Sequence, residues 1–318
     1  MRNVHPSLSG TSLPETIAAL DSLVEGDRAA ERLIAHGRLA IPHLEHFLLE
    51  CPPRSVSLPR CRAVRALGTL GAYSVLLAYF QRYTRPEDAA VLFAEDAVRS
   101  AAARELSRSK SDATFRVLLD ATKQRATSGL VQSLAEYRRP GSVPLFFALL
   151  EDDLCREDAK AGLKQIPSAA QPYAVLLLRG QAELPIDGPA ALRRRRATLR
   201  LLSEFGVDAR DWPELRTFMQ DEDLDCVIAV ARIGLVSAPE GERVAIATAL
   251  IEASAKMHWA QETECVELLD MCPGVARAAA VEIAANRGNR GEMPNWMSPF
   301  WRILHHVLGD ELQCQRWL

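Results

Sequence analysis

Aromatic residues are scarce, 6% of the 318 positions, and several familiar functional signatures are missing from the chain. The seven cysteines (Cys51, Cys61, Cys155, Cys226, Cys265, Cys272 and Cys314) are scattered, odd in number and never arranged as CxxC. That spacing excludes a zinc ribbon and argues against a disulfide framework. No P-loop, GxGxxG or GxSxG is present, so the common phosphate-binding and serine-nucleophile motifs are absent. Positive charge is not in excess: 38 Lys and Arg stand against 41 Asp and Glu, a net charge of -3. A globally basic nucleic-acid-binding chain is therefore excluded. Uninterrupted apolar runs, such as Ala174 to Leu178, are far too short to span a bilayer. The opening MRNVHPSLSGTSLPET lacks an apolar stretch of signal-peptide length, and a cytoplasmic location with no membrane contact is expected.

Runs rich in Val, Ile, Thr and Tyr are also rare, whereas Ala and Leu dominate a composition that is 48% hydrophobic. An all-α chain follows. Its clearest stretch is 133–166, SLAEYRRPGSVPLFFALLEDDLCREDAKAGLKQI. Leu145, Phe146, Leu149 and Leu150 recur at helical spacing after a turn at Arg138 to Gly141. A second helix then carries Cys155, Ala159, Gly162, Leu163 and Ile166 on one face. Neither helix is long enough to persist alone in water, so neighbours must cover both.

Those neighbours are present. An Arg followed by small or apolar residues at +3 and +4 and an apolar residue at +7 starts at Arg60, Arg99, Arg156 and Arg195. The same series without Arg starts at Thr127, Cys226 and Ala276. The starts recur at roughly 30–50 residues, the interval of two-helix repeat units. Preceding helices are expected at 41–50, 72–83, 111–122, 142–151, 171–179, 211–220 and 241–254. Pro42, Pro144, Pro172 and Pro213 lie early in them, where a missing N–H costs nothing. Turns at Gly68 and Gly71, Pro140 and Gly141, Pro167, Gly206, Gly234 and Gly288 are expected to end the second helices.

RCRAVRALGTLG (60–71), AVRSAAAREL (97–106) and PGSVPLFFALLEDDLCREDAKAGL (140–163) resemble the HEAT repeat, in particular the short bacterial HEAT-like repeats of the phycobilin-lyase type. The likeness covers 27–288. It implies one right-handed α-solenoid of about seven or eight antiparallel helix pairs over 1–318. Cap helices would occupy 1–36 and repeats 37–288, with a degenerate pair or insertion at 239–272. A Trp-rich cap would occupy 289–318, and 181–190 would be an enlarged loop. The resemblance also implies a ladder of Asp and Arg along the stack, with Asp152 or Asp153 meeting Arg156 and Asp96 meeting Arg99. Some proteins of this class are di-iron hydroxylases with His-Glu ligands, but no His-Glu dipeptide occurs here. Others are DNA glycosylases or phycobilin lyases; no motif of either transfers to this chain.

Candidate contacts are few. Arg193, Arg196 and Arg200 share one helix face, in a run from Arg193 to Arg196. Such a face either binds phosphate or an acidic partner, or is neutralised by the chain's own carboxylates. Arg60, Arg99, Arg156 and Arg195 are the matching positions of the second helices, either a contact stripe or ladder residues. All five tryptophans lie in the last third, where Trp301, Leu304 and Leu308 read as a buried capping stripe. His305 and His306 point about 100° apart and cannot easily share an ion. His43 and His46 lack a HExxH context. Cys61, Cys155 and Cys226 read as core fillers. No catalytic, cofactor or metal residue is assigned. The function expected from class is a non-enzymatic scaffold or assembly factor for another protein. The alternatives are nucleic-acid binding and a lyase or regulatory subunit of an enzyme complex.

Overall fold

A computed structural model describes residues 12–288, 295 and 297–309. Trp296, Trp317 and Cys314 lie outside the described residues, as does most of the expected tail at 289–318. Among the described residues there are eighteen α-helices and no strand, as the composition requires. Contacts divide the chain into two compact units, one ending at Ile166 and the other starting at Pro167.

The first unit holds α1 (Leu13–Ala18), α2 (Gly26–Ala35), α3 (Ile41–Leu49), α4 (Leu58–Thr69) and α5 (Tyr73–Gln81). It continues with α6 (Ala89–Ser107), α7 (Asp112–Gln124), α8 (Ser128–Ala135), α9 (Val143–Leu149) and α10 (Arg156–Lys164). Helix starts are fixed by side chains. Ser12, Asp88, Ser111 and Thr127 each accept a hydrogen bond from an amide of the first turn. The small-small-apolar series is the buried face: Ala63, Val64 and Leu67 in α4, Ala102, Ala103 and Leu106 in α6, Leu130, Val131 and Leu134 in α8. Small side chains let helix axes approach closely. Accordingly α2, α4, α6, α8 and α10 each pack on the next in that order, and α1, α3, α5 and α7 do likewise.

The second unit holds α11 (Pro167–Leu178), α12 (Pro189–Phe205), α13 (Trp212–Leu215), α14 (Leu224–Ser237) and α15 (Glu240–Ala253). α16 (Trp259–Asp270), α17 (Pro273–Gly288) and α18 (Pro299–Leu308) complete it. Here α12, α14, α16 and α18 pack in sequence, while α15 packs on α17. The interval 181–190 lies mostly in the loop between α11 and α12, its last two residues opening α12. Residues 239–272 hold α15 and α16, a helix pair whose second member joins the α14 row. α17 packs chiefly on α15, a first helix of a pair, and also on α16 and α18, whereas its +3/+4/+7 series predicts a place in the second-helix row.

Two punctuation residues act differently from expectation. Pro172 is interior to α11, because that helix already starts at Pro167 and not at 171. Its missing N–H leaves the Ser168 carbonyl without the usual helical donor. Gly234 does not end α14, which runs on to Ser237. A Cβ there would stand 2.3 Å from the Trp212 ring, so glycine is needed for the indole to seat on the helix. Trp301, Leu304 and Leu308 are buried as a stripe, and α18 packs on α15, α16 and α17.

Candidate functional site

Three of the four arginines that lead the repeat series serve helix ends. Arg60, at the start of α4, donates from Nη1 to the carbonyls of Cys51 (3.1 Å) and Phe47 (3.5 Å), where α3 finishes. Arg99, wholly buried in α6, donates from Nη2 to Ala121 O at 2.8 Å and from Nη1 to Arg125 O at 3.4 Å, at the end of α7. Arg156 donates from Nε to Leu150 O at 2.8 Å, just beyond α9. The last carbonyls of a helix have no intrahelical donor and carry its negative dipole end, so a guanidinium satisfies both.

Arg60 and Arg99 also meet around one buried cluster. Arg60 Nε lies 2.8 Å from Glu95 Oε1, out of line for a hydrogen bond, while the Tyr79 hydroxyl donates to Glu95 Oε2 at 2.7 Å. Burial pushes the Tyr79 phenol well above its ordinary value, and the Glu95 charge adds to it. Arg99 makes no ion pair with a described residue and instead stacks 4.1 Å over the Tyr83 ring. Burial lowers its pKa. The expected Asp96–Arg99 rung is absent because Asp96 is held by Arg125, Nε to Oδ1 at 2.7 Å and Nη2 to Oδ2 at 2.6 Å. Asp153 does pair with Arg156 at 2.5 Å, but only locally, from the loop to the first residue of α10 three positions on. Asp152 accepts the Leu154 amide at 2.8 Å instead.

The arginines of α12 face carboxylates of the following segment. Arg195 Nε lies 3.1 Å from Asp221, and Arg196 pairs with both oxygens of Asp223, Nε to Oδ1 at 2.9 Å. Arg200 lies 3.8 Å from Asp225 and 3.9 Å from Glu264 of α16. Arg194 is buried and bonds the Pro185 carbonyl, whereas Arg193 is exposed. Asp223 is also the N-cap of α14 through the Cys226 amide. Burial pushes its carboxyl up, but Arg196 and that amide outweigh the effect and hold it below its ordinary value. Arg195, Arg196 and Arg200 are therefore neutralised within their own unit.

The acidic partners were the readable part of this seam. DEDLD at 221–225 follows the arginines by 26 and 27 positions, the spacing of the bonded pairs. Arg62 had no such signal. It is buried, donates from Nη1 to the carbonyls of Leu20 and Ser22 at 2.8 Å each, and clasps Asp27 with Nε and Nη2. Taken together, side chains lace each row: Arg62 to Asp27, Arg60 to Glu95, Ser100 to Thr127 and Gln132 to Asp158 in the first unit. Arg196 to Asp223, Gln261 to Asp225 and Arg302 to Glu262 do so in the second.

Other chemistry-bearing residues have structural surroundings. Burial pushes the Cys155 thiol up to about 11 and those of Cys226 and Cys265 up to about 12, the opposite of an activated nucleophile. Cys61 is only half-buried. His306 Nε2 lies 2.9 Å from Asp270. His43 and His46 line a pocket with Cys51, and among the described residues no group of three or more His, Cys, Asp or Glu could hold a metal. Trp259 is exposed, unlike Trp212 and Trp301. No protein-family model matches the chain, and neither does any curated protein sequence.

Proposed function

We propose that this chain is a non-enzymatic HEAT-like scaffold, a right-handed α-solenoid whose second helices offer a curved surface to another protein. The observation that carries the reading is the packing, within each unit, of alternate helices on one another, laced by side chains about one repeat apart. A stack of this kind buries each helix between neighbours and leaves one face of the row exposed along its length. In the first unit that face includes Arg104 of α6, which is exposed, and Arg65 of α4, which is exposed but pairs with Asp27 at 3.1 Å. Arg104 takes the contact role first considered for Arg60, Arg99 and Arg156, whose guanidiniums are engaged in helix ends. No described helix is long and apolar enough to cross a membrane.

Affinity capture from the native cell tests the reading with two variants. Arg104→Ala should lose the captured protein and keep the parent's thermal unfolding. Arg116→Glu, an exposed change on α7, should retain it. Recovery of the chain alone, or equal capture by both variants, refutes the proposal. The nucleic-acid alternative needs an unneutralised basic surface, and Arg195, Arg196, Arg200 and Arg139 instead sit against Asp221, Asp223, Asp225 and Asp112. The lyase or regulatory-subunit alternative has no particular residue in its favour.

A further inference from the structure

A pocket of about 270 Å³ lies between the end of α3, the loop that follows it and the first turn of α4. Phe47, Pro52, Val56 and Pro59 form its apolar wall, and its charged groups are Arg60, Arg54 and Asp21. At this size it falls below the ~300–1,000 Å³ of clefts for drug-sized ligands and suits a single-ring molecule.

Arg60 is the polar group that gives the pocket a chemistry. Its side chain is 8% exposed, so the guanidinium is held rigidly from behind. Nη1 is committed to the Phe47 and Cys51 carbonyls and Nε lies against Glu95. Nη2 makes no hydrogen bond with any described residue, and it is not among the buried atoms sealed away without a partner. A pre-positioned N–H donor therefore remains on a side chain that lines an apolar pocket.

Charge balance selects what that donor takes. Arg60 is answered by Glu95, and Arg54 at the mouth by Asp21 at 3.0 Å. No surplus positive charge is left to offset the desolvation of an entering anion, which would also approach two carboxylates. A carbonyl oxygen can accept from Nη2 without that cost. The geometry points to a binding site for a small, uncharged, largely apolar carbonyl compound, its ring or branched chain against Phe47 and the prolines and its oxygen on Arg60 Nη2. The site stands apart from the exposed row face and does not depend on a protein partner.

Ligand-observed NMR titration of the full chain with phenylacetamide, phenylacetate and ethylbenzene tests this. Phenylacetamide should bind. Phenylacetate should bind about tenfold more weakly because of its charge, and ethylbenzene about tenfold more weakly because it lacks the acceptor. Val56→Trp should fill the mouth and abolish phenylacetamide binding; Val56 is 58% exposed, so the helical circular dichroism should not change. Arg60→Met should reduce phenylacetamide to the affinity of ethylbenzene, with Val56→Trp as the control that leaves the Glu95 pair intact. No binding of phenylacetamide, tighter binding of phenylacetate, or binding unaffected by Val56→Trp overturns the assignment.

Discussion

Glu95 sits in a buried polar cluster of the first unit. It neutralises Arg60 and accepts the Tyr79 hydroxyl, both on side chains that are nearly or fully buried. Removing one partner of a buried pair leaves the other charge uncompensated, at a cost of about 3–5 kcal/mol. Glu95→Ala should lower stability by that amount in urea unfolding; a loss below about 1 kcal/mol would mean Arg60 finds water instead. Acid should act through other carboxylates. Arg62 and Arg65 hold Asp27 below the ordinary range, Arg302 does the same for Glu262, and Asp223 is lowered as described above. A lowered folded-state pKa means the unfolded chain takes up protons first, so this stability is present above about pH 4 and lost as pH falls through the folded values. Glu105 has the opposite sign: burial raises its carboxyl, so its contribution is present in acid and lost as pH rises through the raised value. With Glu15 and Glu157 also lowered, the lowered carboxyls outnumber the raised one, and the urea midpoint should drop between pH 5 and pH 3. A midpoint that stays level over that interval would show these guanidinium contacts to be energetically silent.

At the scale of helices, close approach decides which positions tolerate a side chain. Gly129 opens α8 beneath Ser100 of α6, where a Cβ would stand 2.4 Å from Ser100 Cβ and 2.9 Å from its Cα. Backbone cannot yield as a flexible side-chain end can, so Gly129→Ala should force α6 and α8 apart and cost about 1–3 kcal/mol. Gly274, in the first turn of α17, has nothing within 4 Å, and Gly274→Ala should stabilise by about 0.4–1 kcal/mol. Chemical denaturation of the two variants should thus give shifts of opposite sign. The same contrast explains what could be read in advance. Helices at 41–50, 72–83, 111–122 and 241–254 were legible because periodicity and Gly or Pro turns are local, and they match α3, α5, α7 and α15. Gly234 misled because a glycine admitting an indole and a glycine ending a helix look alike in a sequence. The partner of Asp96 was illegible for a related reason. Arg99 and Arg125 are equally arginines, and only the fold brings Arg125, 29 positions away, into bidentate reach. Ala276 leads the small-small-apolar series of a second helix, yet α17 packs chiefly on α15, since small faces fit any close neighbour.

The whole chain offers a natural probe of whether its two units share one unfolding transition. All five tryptophans lie beyond position 166, and two of them, Trp212 and Trp301, are buried in the second unit. Indole fluorescence therefore reports that unit alone, whereas far-ultraviolet circular dichroism reports helices of both. In a stack stabilised by nearest-neighbour interfaces, cooperativity extends only as far as those interfaces are strong. The two compact units divide between Ile166 and Pro167. Leu163→Asp puts a charge at a fully buried position of α10 in the first unit and should cost about 3–5 kcal/mol there. The expected result is a circular-dichroism curve that splits, its early phase moved to lower urea, while the fluorescence midpoint stays within error of the parent. Coincident shifts of both signals would show that the charge is felt through Pro167 and that the chain unfolds as one cooperative body. An unchanged curve in both would remove Leu163 from the core face and, with it, the repeat register on which the scaffold reading depends.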